Sequence, residues 1–301
     1  MRETLSGPDA DRLERSRGPG RDSIRFGAGA PGLERAEVYL SACAFEPHRH
    51  DTYAIGITTA GVQTFRYRGA RRICLPGQLH VLHPDETHDG AAATDVGFGY
   101  RILYMAPELV REALGGGALP FVADPVLQPA TATWFLGSLL SDIDEPISDL
   151  ARAEIAAMLA DVLRTLGGCP GRRRVAAIDV RAVEVARDYL AAHACEQTPA
   201  ADLEQITGTD RFTLARHFRR AFGTSPDRYR TMRRLEFARA AVENGIPLAQ
   251  VAAVTGFADQ SHMTRQFKQT YGFTPARWRT LTAASPAGRT PQAADTAPAA
   301  S

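Results

Sequence analysis

The sequence predicts an α+β protein of two domains: an N-terminal antiparallel β-barrel with helices appended to its C-terminal end, followed by an all-α domain. Three observations predict it. Residues 37–105 alternate apolar and polar side chains in short runs broken by Gly and Pro, the period turns helical after Pro129, and the helical pattern of 211–230 recurs at 260–279. A length of 301 residues suits two domains, each able to bury its own core.

The strand runs are Val38-Leu40-Ala42-Ala44, 53–58, 63–67, 72–75, 78–82 and 98–105, with turn signals at Ala60-Gly61, Gly69-Ala70, Pro76-Gly77, Pro84-Asp85 and Asp89-Gly90. Many short strands without intervening helices imply a sandwich or small barrel. Helices are expected at 134–143 and 149–166, the second grouping Leu150, Ile155, Met158, Leu159, Val162, Leu163 and Leu166 at helical spacing, for core or dimer packing. Gly167-Gly168-Cys169-Pro170-Gly171-Arg172-Arg173-Arg174 breaks that pattern. The expected organisation is therefore a flexible arm over 1–32, a barrel over 33–128, a helical segment over 129–166, a linker over 167–178, a helical domain over 179–280 and a disordered tail over 281–301.

Composition excludes several classes. With 44% apolar and 23% charged residues, and no uncharged apolar run of the length a bilayer requires, a membrane protein is not expected. The first 32 residues lack the apolar core of a secretory leader, so the expected compartment is the cytoplasm. Cys43, Cys74, Cys169 and Cys195 lie far apart with no Cys-x-x-Cys pair and read as reduced packing residues. The net charge of +1 hides a division: 16 basic against 22 acidic residues over 1–170, but 18 against 11 over 171–280. The second domain is suited to meet a polyanion.

Within the repeat, Arg216, Phe218, Gly223, Pro226, Arg228 and Arg230 recur as Arg265, Phe267, Gly272, Pro275, Arg277 and Arg279. Each copy follows a short helical stretch ending in Gly, at 202–208 and 248–256, so each reads as a helix-turn-helix. Asp210 and Asp259 suit N-caps, and Ser225-Pro226 and Thr274-Pro275 place a cap and an N1 proline on the helices that follow. Leu214, Phe218 and Phe222 should face the core, as should Met263, Phe267 and Tyr271. Between the units, 226–244 reads as one helix of about 28 Å, close to the roughly 34 Å turn of B-DNA. Outward-facing Gln, Ser, His and Arg can pair with base edges in a major groove.

The pattern Leu214-x-Arg216-x-Phe218…Gly223-x-Ser225-Pro226…Gly256-Phe257…Arg265-x-Phe267-Lys268…Gly272-Phe273-Thr274-Pro275…Trp278-Arg279 resembles the AraC/XylS family of bacterial transcription regulators over about 179–280. The resemblance implies Phe212, Ala215 and Arg216 as base-facing positions of the first unit, and Gln260, Ser261, His262 and Arg265 as those of the second. Backbone contacts are expected from Arg211, Arg219, Arg228, Arg230, Lys268, Arg277 and Arg279. The family places a small residue four before the Gly of each first helix; Ala252 fits and Glu204 departs.

Residues 37–105 look like the cupin-type sensing domain common in that family, through Pro47-His48-Arg49-His50, Leu75-Pro76-Gly77 and His83-Pro84-Asp85-Glu86-Thr87-His88. The barrel is thus expected to be cupin-like, with an effector pocket containing His48, His50, Tyr53, His80, His88 and Tyr100. Phe65, Tyr67, Phe98 and Tyr104 are further lining candidates. His80 and His83 point to opposite faces of one strand, so at most one faces the interior. His48, His50 and His88 are also weak candidates for metal ligands, being a suitable imidazole set. The Glu of metal-binding cupins is missing after His50 unless Gln78 or Glu86 stands in, and no metal or other cofactor is expected.

The expected function is an effector-controlled regulator that binds double-stranded DNA as a homodimer and works with RNA polymerase, and not an enzyme. Two alternatives are a metal-dependent cupin enzyme fused to a DNA-binding domain, and a ligand-independent regulator whose barrel only dimerises.

Overall fold

The computed structural model describes residues 22–41, 44–127, 131–167 and 178–283. Cys43, Cys169, the arginines at 172–174 and the chain beyond 283 lie outside them.

Two antiparallel sheets form the first domain. β1 (Ser23–Phe26), β2 (Leu33–Leu40), β4 (Tyr53–Gly61), β7 (Leu79–Leu82), β9 (Phe98–Met105) and β10 (Val126–Leu127) make one, in the order β1-β2-β9-β4-β7-β10. β3 (Phe45–His48), β5 (Gln63–Tyr67), β6 (Ala70–Cys74) and β8 (His88–Ala92) make the other, in the order β3-β8-β5-β6. The architecture is cupin-like, but the sheets do not close into the expected barrel. At the β3 edge, backbone groups bond to a helix of the second domain instead of to another strand: Glu46 N–H donates to the Gly272 carbonyl (3.3 Å) and Arg49 N–H to that of Gln269 (3.0 Å).

The central strands are buried on both faces because the larger sheet is covered on both. Along β9, Phe98, Tyr100 and Ile102 face the smaller sheet, while Leu103 and Met105 face a second core. That second core is closed by α1 (Pro107–Ala113), α2 (Thr131–Leu139) and α3 (Asp149–Leu166). The limits of α3 are those the sequence predicts, with Ser148 accepting the Ala151 N–H at 3.2 Å. The helix expected at 134–143 begins and ends earlier, and α1 was not expected because it spans only two turns behind Pro107.

Part of the expected flexible arm is also ordered. Ser23–Phe26 pairs with β2, and Phe26 packs on Trp278 with ring centroids 5.9 Å apart. At the other end, Leu281, expected in the tail, is fully buried.

The second domain consists of α4 (Val180–Ala192), α5 (Ala200–Thr207), α6 (Arg211–Phe222), α7 (Pro226–Glu243), α8 (Leu248–Val254), α9 (Gln260–Tyr271) and α10 (Pro275–Ala283). The expected caps are in place. Asp210 accepts from the N–H groups of Phe212 and Thr213 (3.1 and 3.0 Å), Asp259 from His262 (2.7 Å), Ser225 from Arg228 (3.2 Å) and Thr274 from Arg277 (3.3 Å). Gly223 and Gly272 end the repeated helices at φ 73° and 75°, a left-handed conformation that β-carbons disfavour. Leu214, Phe218 and Phe222 form a core with α4, whereas Met263, Phe267 and Trp278 belong to the same continuous core as the sandwich. Among the described residues no helix is long and apolar enough to cross a membrane.

Candidate DNA interface and effector cavity

The two recognition helices, α6 and α9, present their polar faces as the sequence predicts. Phe212 is 76% exposed, Arg216 is exposed with its Nη2 on Thr213 Oγ1 (2.9 Å), and Ala215 is half-buried between them. On α9, Gln260, Ser261 and Arg265 are exposed. His262 is half-buried and meets Phe257 edge-on at 5.5 Å, so it braces the turn as well as facing outward. Glu204, the departure from the family pattern, clasps Arg211 through two bonds of 2.9 Å and accepts the Arg211 N–H at 2.9 Å. That two-pronged pair ties α5 to α6 and occupies one expected phosphate contact.

Arg219 and Arg279 are exposed, and Arg230 leans on Asp227 at 3.1 Å. Three further expected backbone contacts are engaged at the seam with the sensor. Lys268 pairs with Glu46 (2.7 Å) and Arg277 with Asp22 (2.6 Å), while Arg228 donates to the Arg49 carbonyl (2.8 Å) and Thr270 Oγ1 (2.9 Å). Each of these sensor partners comes from a segment that is acidic or offers a carbonyl at the seam. In this arrangement the sensor therefore holds three groups that the sequence assigns to phosphate, partners no linear pattern could supply.

Inside the sandwich, His48, His50, His80, His88 and Tyr100 line one cavity of about 30 Å³, together with Tyr104. His48 Nδ1 donates to the Glu46 carbonyl (2.7 Å), His50 Nδ1 to that of Thr52 (2.9 Å) and His88 Nδ1 to that of Glu86 (3.0 Å). A carbonyl only accepts, so each Nδ1 carries the proton and each Nε2 keeps a lone pair. The rings of His48 and His50 lie 4.3 and 4.9 Å from that of His88. Burial, aided by neighbouring histidines, keeps His48 far below its ordinary pKa and pushes His50 to about 3; burial brings His80 and His88 to about 4. All four imidazoles are neutral at physiological pH. His80 Nδ1 is buried without a hydrogen-bond partner, and Gly56 leaves room for its ring: a β-carbon there would lie 2.4 Å from His80 Nε2.

Tyr53, expected in this cavity, is in the other core and donates to the Pro120 carbonyl at 2.8 Å, because its position on β4 points to the helical face. Phe65 does line the cavity; Tyr67 and Phe98 do not. Tyr67 is hydrogen-bonded to His83 Nδ1 (2.7 Å), whose Nε2 accepts the Val122 N–H (2.9 Å), so His83 is structural and faces away from His80. Neither proposed stand-in completes a metal set. Gln78 Oε1 accepts the Leu75 N–H (2.7 Å), and the Glu86 carboxylate turns to Arg68 (3.9 Å). Among the described residues no group of three or more His, Cys, Asp or Glu is placed to hold a metal ion.

A second cavity, of about 80 Å³, lies at the seam between sandwich and helices and shares His48, His50, Phe45 and Tyr104 with the first. Its charged walls are Glu34, Asp51, Glu236 and Arg239. Arg239 makes a two-pronged pair with Glu34 (3.1 and 2.5 Å), and Arg233 Nη2 is shared by Asp51 (2.6 Å) and Glu236 (3.0 Å). Burial pushes the Glu236 carboxyl up to about 7 against the lowering effect of Arg233. Sequence reading missed this site because its charges come from three separate segments, and 226–244 reads only as a connector. The spacing of Arg233, Glu236 and Arg239 on one helical face was the one available signal.

Residues 30–166 match the AraC-like ligand binding domain family, and residues 203–280 match a helix-turn-helix domain family. The chain is 29% identical over 224 residues to YbfI, an HTH-type transcriptional regulator of Bacillus subtilis, covering 73% of this chain and 81% of that protein. Among solved structures, apo ToxT of Vibrio cholerae superposes with a TM-score of 0.60 at 15% identity, over 84% of this chain and 99% of that one. ToxT bound to an unsaturated fatty acid superposes at 0.58 and 15% identity, over 87% and 95%. At such identities these likenesses speak for the fold alone, over both domains of this chain. These matches mark the chain as a transcription regulator of AraC type, an AraC-like ligand-binding domain followed by a helix-turn-helix domain.

Proposed function

We propose that this regulator is controlled by a small organic effector at the seam, and that the sensor restrains the second reading unit until the effector changes the balance between two arrangements. The carrying observation is the capture of Lys268, Arg277 and Arg228 by the sensor while Gln260, Ser261 and Arg265 remain outward. Base-reading groups are presented, but phosphate contacts that set register are withheld. An effector acts only through a difference in affinity for the docked and released arrangements. The orphaned His80 Nδ1 and the adjoining cavities support a ligand at this place. Structures of ToxT with an unsaturated fatty acid and with a naphthalenyl butenoic acid support a small organic molecule as the effector of such an architecture.

In this reading Phe212, Ala215, Arg216, Gln260, Ser261, His262 and Arg265 face bases, and Arg219 and Arg279 grip phosphates in either arrangement. The protein acts in the cytoplasm as a homodimer joined through the outer face of α3, and engages RNA polymerase at its promoters. A genome-fragment binding selection with the full-length protein at near-physiological salt tests the reading. The expected result is a bipartite motif with half-elements about one helical turn apart. Diffuse binding that falls steeply with salt, with no enriched motif, would overturn it.

A further inference from the structure

Counting charges around the seam cavity constrains what it can hold. Three carboxylates line it, Glu34, Asp51 and Glu236, against one guanidinium, Arg239, which is itself taken by both oxygens of Glu34. Two further cations stand behind the lining: Arg233 divides one Nη2 between Asp51 and Glu236, and Arg228 reaches Thr270 Oγ1 (2.9 Å) while pairing with Asp85 (3.9 Å). After pairing, one carboxyl group is in excess, and Glu236, pushed up to about 7, is the weaker-held of the two on Arg233, at 3.0 Å against 2.6 Å. The imidazoles facing this space, His48 and His50, spend their Nδ1 protons on backbone carbonyls so that only Nε2 lone pairs remain, and the uncharged hydroxyls of Thr52, Tyr104, Thr270 and Tyr271 complete the polar wall. The charged part of the wall is thus negative, and its imidazoles offer acceptors only.

Its apolar part favours the same sign. Arg239 already lies over the faces of Phe26 (5.0 Å) and Tyr271 (5.9 Å), with Trp278 alongside, so the aromatic faces here are arranged around a cation. An organic acid would face surplus carboxylate and imidazole lone pairs in a space where charge repulsion is poorly screened.

We propose that the seam cavity binds a small organic cation, an ammonium group on an aromatic or aliphatic body, with Glu236 as its counter-ion and the His48 and His50 lone pairs as acceptors for its N–H donors. This rests on the reading of the seam as the effector site and names the chemistry of its ligand. A single water needs roughly 10–15 Å³ by the same measure of space, so about 80 Å³ accommodates a ligand of roughly six to eight heavy atoms. Binding bridges α7 to the sandwich through Glu236, and so bears on the contact that holds Lys268 and Arg277.

The test uses three isosteric probes, benzylammonium, benzyl alcohol and benzoate, titrated into the full-length protein at constant pH and ionic strength by calorimetry, with thermal unfolding in parallel. Saturable binding of benzylammonium, weaker binding of the alcohol and none of benzoate is the expected order, with benzylammonium weakened at least about tenfold in Glu236→Gln. Benzoate binding as well as or better than benzylammonium, absence of saturable benzylammonium binding, or unchanged affinity in the variant each overturns the proposal. The probe series on the unmodified protein keeps the test decisive should the variant fold poorly. Binding of a selected operator fragment, measured in the same samples, separates the two readings. A protein that binds its operator but responds to the acid refutes only the ligand chemistry, whereas one that takes the amine but recognises no DNA sequence refutes the regulator mechanism.

Discussion

Arg265 is exposed on the first turns of α9 beside Gln260 and Ser261, where a guanidinium can address a guanine edge. Arg265→Ala is expected to cost about 1–3 kcal/mol at one base position and to relax specificity there; binding measured across base variants checks it, and a uniform loss would contradict base reading. At the same scale, the buried imidazoles predict acid sensitivity. His48, His50, His80, His83 and His88 are held below their ordinary pKa by burial, so below pH about 6.5 the unfolded chain takes up protons that the folded sensor refuses. Their contribution is complete above that pH and is lost as pH falls towards 4, at most about 1.4 kcal/mol per unit and per group. Glu236, raised to about 7, and Glu108, raised by burial, work oppositely above their unfolded values, but they are two groups against five. Urea unfolding should therefore show a falling midpoint from pH 7 to pH 5, and a flat profile would contradict the buried neutral cluster.

Among the elements, α3 shows how one helix serves two surfaces. Ile155, Leu159 and Leu163 are buried on the sandwich, while Leu150 (70% exposed), Met158 (44%) and Leu166 (41%) remain outside. The amphipathic pattern in the sequence is consistent with either use, and contacts resolve it residue by residue. If the outer stripe joins two copies, Leu150→Glu with Met158→Glu should convert the dimer to a monomer in sedimentation and leave the sandwich's thermal unfolding close to that of the parent. A mass unchanged by the double substitution would place the dimer contact elsewhere. The recognition helices were the most legible elements: Asp caps, Gly stops and Pro at the following N1 are local rules, and the structure obeys each of them. Short β3 and β8 were not legible, because His48 and His88 sit in segments that read as turns until their partner strand is known.

For the molecule as a whole, the docked sensor should reduce the electrostatic part of DNA binding. The Lys268–Glu46 pair is exposed and worth little to stability. Glu46→Ala should accordingly leave the unfolding midpoint nearly unchanged, while releasing Lys268 to phosphate. The slope of log affinity against log salt should then steepen by about 0.9 in the absence of effector. An unchanged slope, measured by fluorescence anisotropy on one operator fragment, would show that this contact does not restrain the reader.

The sequence by itself determined the two-domain order, the repeated helix-turn-helix, its capped boundaries and the outward faces of α6 and α9, all of which follow from local periodicity and end chemistry. It also identified five of the histidines and tyrosines of the inner cavity, His48, His50, His80, His88 and Tyr100, but misplaced Tyr53, since strand register decides which face a residue sees. Only the tertiary structure decided that the sandwich stays open at β3, that Lys268, Arg277 and Arg228 turn inward, and that Glu34, Asp51 and Glu236 meet around Arg239 and Arg233. The physical reason is the range of the interactions. Caps and periodicity act within a few residues, whereas the seam joins charges nearly two hundred positions apart, such as Asp51 and Arg233, and exists only once both cores have formed.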